Sequence, residues 1–144
     1  MQKENLYIYL IELITMTSAL ISGGNGFLGS HFADKFIGNG FDVTVVDNFS
    51  TTKKKNLHKE AALIKKRIED YKTNKKYDFV IHLATRPSPE DYISKPVFTI
   101  SSNSLGTYKM LEIAKKSNAT FMYTSSSEVF KHKITYKRHY LKIL

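Results

Sequence analysis

The chain has 144 residues, 42% of them apolar and 24% charged, with a formal net charge of +9 and no cysteine. That length suits one domain with a real core, and the composition argues against disorder. The lack of cysteine excludes disulfides, thiolate nucleophiles and cysteine metal sites, and it favours a cytoplasmic protein. The positive charge sits in local runs, Lys53-Lys54-Lys55, Lys65-Lys66-Arg67, Lys75-Lys76, Lys115-Lys116 and the tail over 131–142. With no zinc-finger spacing and no RNA-binding aromatic box beside them, these runs read as solvated faces, and no nucleic-acid partner is expected.

In chain order, the apolar run over residues 6–16 is too short for a membrane span and is interrupted by Glu12. No membrane partner is expected, and residues 1–17 read as an N-terminal extension ahead of the fold. Ser18-Ala19-Leu20-Ile21 is a short apolar run ending in glycines, a first buried strand. Leu28, Phe32, Phe36 and Ile37 then recur at helical spacing until the glycines at 38 and 40. Val43-Thr44-Val45-Val46 is a second strand closing on Asp47, and a polar stretch over 48–55 leads to an expected helix over 56–65. A weak third strand is expected over 63–68, and a fourth at Phe79-Val80-Ile81-His82-Leu83. A loop with Pro87, Pro89 and Pro96 follows, then a helix from about 96 to 116, then a fifth strand over 120–124 running into three serines. Strands alternating with helices imply an α/β fold, a Rossmann-type parallel sheet with helices on both faces.

Gly23-Gly24-Asn25-Gly26-Phe27-Leu28-Gly29 joins a strand to a helix. Glycines there permit a tight turn, close approach of backbone to a pyrophosphate and tight helix–strand packing. The helix N-terminus would offer free N–H groups to phosphates. Asp47 at the end of the second strand is placed to accept ribose hydroxyls and to disfavour a 2′-phosphate, which points to NAD as cofactor, with the lysines at 53–55 keeping NADP open.

Four blocks together resemble the extended short-chain dehydrogenase/reductase family of nucleotide-sugar epimerases, dehydratases and decarboxylases. They are the glycine turn, Asp47-Asn48-Phe49-Ser50-Thr51, Ile81-His82-Leu83-Ala84 and residues 124–129. Within that family, Ser88-Pro89, Tyr92, Pro96-Val97, Thr99-Ile100 and the stretch from Asn103 to Gly106-Thr107 look like the UDP-glucuronate decarboxylases, as does Ser126-Ser127-Glu128-Val129. The resemblance implies cofactor contacts at Gly23, Gly26, Phe27, Leu28, Asp47, Asn48, Phe49, Ser50, Thr51, Leu83, Ala84, Thr85 and Asn103. It implies substrate contacts at Ser88 and Tyr92, with Ser126 bonding the sugar 4-hydroxyl and Glu128 beside the reacting carbons. His31 and His82 are expected to pack or hydrogen-bond, and no metal site is expected. The implied substrate is a UDP-sugar: NAD would oxidise C4 of UDP-glucuronate, the resulting β-keto acid would lose CO₂, and hydride return would give UDP-xylose.

Four departures limit that expectation. The family's catalytic base, a tyrosine with a lysine four residues later, normally follows the serine block by some tens of residues. Beyond that block, Tyr136 is followed at the fourth position by Tyr140, and Tyr140 by Leu144; Tyr123 and Tyr108 also lack the lysine. Phe130 stands where the family usually has tyrosine, and Thr52 and Arg67 replace a usual glycine and aspartate. The chain thus divides into the extension over 1–17, a partial NAD-binding Rossmann domain over 18–130 and a basic tail over 131–144. It reads as a truncated product of a frameshift or split gene, inactive alone. The alternative is a non-catalytic NAD-binding module, a homodimer or the complement of a separately encoded C-terminal half.

Overall fold

The computed structural model describes residues 16–52, 56–86 and 88–125. Residues 1–15 of the expected extension, Lys53-Lys54-Lys55, Pro87, Ser126, Glu128, Phe130 and the tail lie outside the described residues. Five parallel strands, β1 (Ser18–Ser22), β2 (Asp42–Asp47), β3 (Ala62–Lys65), β4 (Phe79–His82) and β5 (Thr120–Tyr123), form one sheet in the order β3-β2-β1-β4-β5. Parallel strands bring all their C-terminal ends to one edge. The register fixes this edge: Ser22 lies opposite Val46 and His82, and His82 lies opposite Tyr123.

The central strands are buried on both faces, so they are continuously apolar rather than alternating. Ala19 and Ile21 of β1 join Val43, Val45 and Ile81 beneath Ala33 of helix α1 (Phe27–Ile37). On the opposite face Leu20, Val46, Val80 and Phe121 pack with Met110, Ile113 and Ala114 of helix α4 (Gly106–Ser117). Both faces of the sheet are therefore covered by helix, which is the expected Rossmann-type architecture.

Three expectations are corrected. The helix expected over 56–65 does not form: residues 56–61 are turn and irregular backbone, and the third strand expected over 63–68 forms earlier, as β3 over Ala62–Lys65, paired with β2. Pairing Val45 with Leu63 and Val46 with Ile64 extends the sheet over the core, an advantage that local helix propensity cannot offset. The proline loop carries a short helix, α2 (Pro89–Ser94), started by proline at its first turn. The long helix expected to follow is divided into α3 (Pro96–Ile100), a π-helical turn (Ser101–Leu105) and α4.

Among the described residues several large apolar side chains are exposed. Met122 and Tyr123 of β5 are exposed, as are Val97, Ile100, Leu105 and Tyr108 along the helices. Among the described residues, β5 has a hydrogen-bonded neighbour on one edge alone, β4.

Candidate functional site

The site lies at the C-terminal edge of the sheet. Gly23 leaves β1 with φ +71°, and its N–H donates to the carbonyl of Val46 at 2.8 Å. A Cβ at Gly23 would sit 2.8 Å from Ala84 N and 2.9 Å from the carbonyl carbon of Leu83, so the turn lies directly against the loop after β4. At Gly29 a Cβ would run into the carbonyl oxygen of Gly23, which seats α1 hard on the turn. The helix begins after Gly26 without a side-chain cap, leaving first-turn N–H groups and the positive dipole end open to an anion.

Asp47, the last residue of β2, fastens two loops. Its Oδ2 accepts the N–H of Asn25 at 2.9 Å, and its Oδ1 accepts the N–H of Phe49 at 2.7 Å. The second bond accompanies the left-handed φ of 57° at Phe49. Each carboxylate oxygen has further acceptor capacity, so a sugar hydroxyl could still be bound there. Asn25, buried inside the glycine turn, extends the fastening: its Oδ1 accepts the N–H of Asn56 at 2.9 Å, and its Nδ2 donates to the carbonyl of Thr52 at 3.4 Å.

Between these pieces runs a groove of about 100 Å³. Gly23, Gly26, Asp47, Asn48, Ser50, Thr51, Leu83, Ala84 and Thr85, all expected cofactor contacts, line it together. The wall also contains Lys66, Ile68, Glu69, Arg86 and Ser102, which sequence reading missed. Phe27 and Leu28 are exposed at the start of α1, and Phe49, not among the groove's lining residues, has the Lys65 ammonium over its ring at 5.5 Å. Ser88 precedes α2 and Tyr92 lies on it, half exposed; neither lines the groove. Ser126 and Glu128 follow β5, outside the described residues.

Asn103 sits one step behind the groove. Its Oδ1 accepts the N–H of Arg86 at 2.8 Å, and its Nδ2 donates to the carbonyl of Arg86 at 3.3 Å. His82 is wholly buried, with Nδ1 2.6 Å from Ser22 Oγ and Nε2 3.0 Å from Thr107 Oγ1. Burial pushes its pKa down to about 4, so the imidazole is neutral. His31 is exposed and meets the Phe27 ring edge-on at 4.9 Å.

Arg67, where the family usually has aspartate, turns to Glu69, with Nη2 2.8 Å from Oε1, and stacks on Phe98 with its guanidinium 4.8 Å from the ring centre. Arg86 stacks on the same ring at 4.5 Å and pairs with Asp91 at 2.9 Å. Burial pushes the Glu69 carboxyl up, but the Arg67 hydrogen bond, a backbone N–H and the Arg67 charge outweigh it and leave the group below its usual value. Glu69 thus presents a charged carboxylate to the groove two residues after the substituted position.

A tyrosine with lysine at the fourth following position does occur upstream, at Tyr71 and Lys75. It lies at the wrong edge of the sheet. Lys75 pairs with Asp42, the first residue of β2, at 2.8 Å, whereas the groove lies beyond the last residue of that strand. Tyr71 is buried with its hydroxyl 3.0 Å from that of Tyr77, and burial pushes its pKa up to about 12, opposite to what a catalytic base needs. Among the described residues no three side chains gather as metal ligands, and no helix is long and apolar enough to cross a membrane.

Residues 19–139 match the NAD dependent epimerase/dehydratase family. UDP-glucuronic acid decarboxylase 1 of Danio rerio is 40% identical over 116 residues, covering 77% of this chain and 28% of that protein. Among solved structures, UDP-glucose 4-epimerase of Thermotoga maritima, with UDP-glucose, superposes with a TM-score of 0.65 at 33% identity over 73% of this chain and 36% of that one. UDP-glucose 4-epimerase of Thermus thermophilus, complexed with NAD, superposes with a TM-score of 0.64 at 26% identity, over 72% and 35% of the two chains. The chain therefore spans about a quarter to a third of the length of such relatives. With the fold, the glycine turn and these likenesses in agreement, the chain belongs to the NAD dependent epimerase/dehydratase family.

Proposed function

We propose that the groove binds NAD and that the chain is the cofactor-binding portion of a nucleotide-sugar enzyme resembling the UDP-glucuronate decarboxylases. The observation that carries this reading is the glycine turn pressed on Ala84 and fastened by Asp47, which leaves a backbone cradle at a helix N-terminus beside a carboxylate. The residues present fit a dinucleotide. The turn from Gly23 to the first N–H groups of α1 would face the pyrophosphate, and Asp47 would take the ribose hydroxyls. Glu69 offers the carboxylate that position 67 no longer provides, and Leu83, Ala84 and Thr85 form the opposite wall. When bound, NAD supplies reversible hydride transfer. Ser126 would bond the sugar 4-hydroxyl and Glu128 would stand beside the reacting carbons, with Ser88 and Tyr92 on the substrate side.

We further infer that this chain by itself holds cofactor without turning over UDP-glucuronate, a reading supported by the place of the one Tyr-x-x-x-Lys pair among the described residues, Tyr71 and Lys75, away from the groove. Calorimetric titration with NAD is expected to show saturable one-site binding, and no heat at millimolar NAD would remove the reading. Incubation with UDP-glucuronate and NAD is expected to release no CO₂; steady release would refute the inactivity. A second reading, that the chain assembles with another copy or with a separately encoded C-terminal half, is favoured by the exposed Met122 and Tyr123 on β5. Sedimentation velocity of the chain tests it.

A further inference from the structure

The buried imidazole of His82 joins two fastenings of the loop over 83–86, which forms one wall of the groove. At the start of that loop, the N–H of Leu83 is shared between the carbonyl of Ser22 at 3.1 Å and its Oγ at 3.2 Å, and the same Oγ accepts the N–H of Ala84 at 3.4 Å. At its end, Asn103 grips both the N–H and the carbonyl of Arg86. Thr107 lies one helical turn after Asn103, and its hydroxyl donates to the Asn103 carbonyl at 2.6 Å.

These bonds fix where the protons are. Thr107 has one hydroxyl proton and spends it on Asn103, so at the 3.0 Å contact with His82 it can only accept, and Nε2 carries the hydrogen. In the neutral ring Nδ1 is then the acceptor, and it takes the Ser22 proton at 2.6 Å. Ser22 Oγ, having donated, has its lone pairs left for Leu83 and Ala84, as observed. Every donor and acceptor in the series is consistent with a single direction of hydrogen bonding.

We infer that His82, as the Nε2–H tautomer, is a positioning residue that couples Ser22 to Thr107 and so sets the distance between the loop over 83–86 and the glycine turn. The margin is small, since a Cβ at Gly23 would already lie 2.8 Å from Ala84 N. A shift of Ala84 by a few tenths of an ångström would widen or close the cradle. The inference rests on the groove being an NAD site.

The test pairs affinity with a direct view of the protons. Thr107→Val and Ser22→Ala are each expected to weaken NAD binding by about five- to tenfold, the order of one lost hydrogen bond. Thr107→Ser should restore it. The double variant should lose less than the product of the two single losses, because both act through one ring although Ser22 and Thr107 do not touch; strictly multiplicative losses would overturn the coupling. Nitrogen-15 spectra of the unmodified protein at neutral pH should show His82 protonated at Nε2 alone, and an Nδ1–H tautomer or a charged ring would overturn the inference whether or not NAD binds. Absence of NAD binding by the unmodified chain would instead remove the functional reading, and the positioning role with it, while leaving the tautomer measurable.

Discussion

The two edges of the sheet use the same residue types to opposite ends. At the N-terminal edge, Asp42 is neutralised by the ammonium of Lys75, Asp78 accepts the N–H and hydroxyl of Ser18, and Tyr71 spends its hydroxyl on Tyr77. At the C-terminal edge, Asp47 is held by backbone N–H groups, and α1 opens with uncapped N–H groups. Asp42 meets the ammonium of a lysine side chain, whereas both oxygens of Asp47 meet backbone N–H groups of the loops that frame the groove and keep further acceptor capacity there. The lesson is that Tyr-x-x-x-Lys spacing has no chemical meaning apart from the edge that it occupies.

The comparison breaks most sharply at the glycine turn. Gly23→Ala combines a left-handed backbone with a collision against Ala84, and a loss of about 3 kcal/mol in stability is expected together with loss of NAD binding. Chemical denaturation followed by calorimetry checks both, and retention of NAD affinity would mean that the turn is not the cradle. Acid tests the same edge next. The unfolded chain protonates His82 at its ordinary value of 6.5, while the folded chain holds out until about 4. The stability it contributes is therefore whole above 6.5 and is lost as the pH falls toward 4, by up to about 3 kcal/mol. Urea titrations at about pH 7 and about pH 4.5 read this loss directly.

The opposite edge should respond to alkali. Tyr71 has its folded pKa raised from 10.0 to about 12, so its contribution is whole below 10 and disappears as the pH rises through 12. Tyr71→Phe is expected to cost about 1 kcal/mol at neutral pH, to reduce that alkaline loss and to leave NAD affinity unchanged. An effect on NAD affinity comparable to that of Gly23→Ala would erase the distinction between the edges.

Most of what was legible in the sequence was local. The apolar runs at β1, β2 and β4 have no alternative in a buried parallel sheet, and Gly23 and Gly29 announce the turn because no other residue fits there. The segment over 56–65 misled because Ala62–Lys65 is short and ends in lysine, and its strand state is decided by pairing with β2, earlier in the chain. Asn25, Glu69 and the bonds made by Asn103 were harder still. Asn25 reaches 31 residues along the chain to Asn56, and Asn103 reaches 17 back to Arg86, bonds that no periodicity records. A polar residue enclosed by glycines was the one available signal for Asn25.

The π-helical turn at Ser101–Leu105 works as a phase shifter. A π turn holds one residue more than an α turn, and each residue advances a helix by about 100°. Everything beyond Leu105 is thereby rotated as a block, which aims Thr107 at His82 and turns Gly106 toward Ile68, where even a Cβ would come within 2.7 Å. Removing one residue from this turn would therefore act as a dial rather than a cut. Helix α4 would keep its length and composition, yet its buried and exposed faces would be exchanged by roughly a quarter of a revolution.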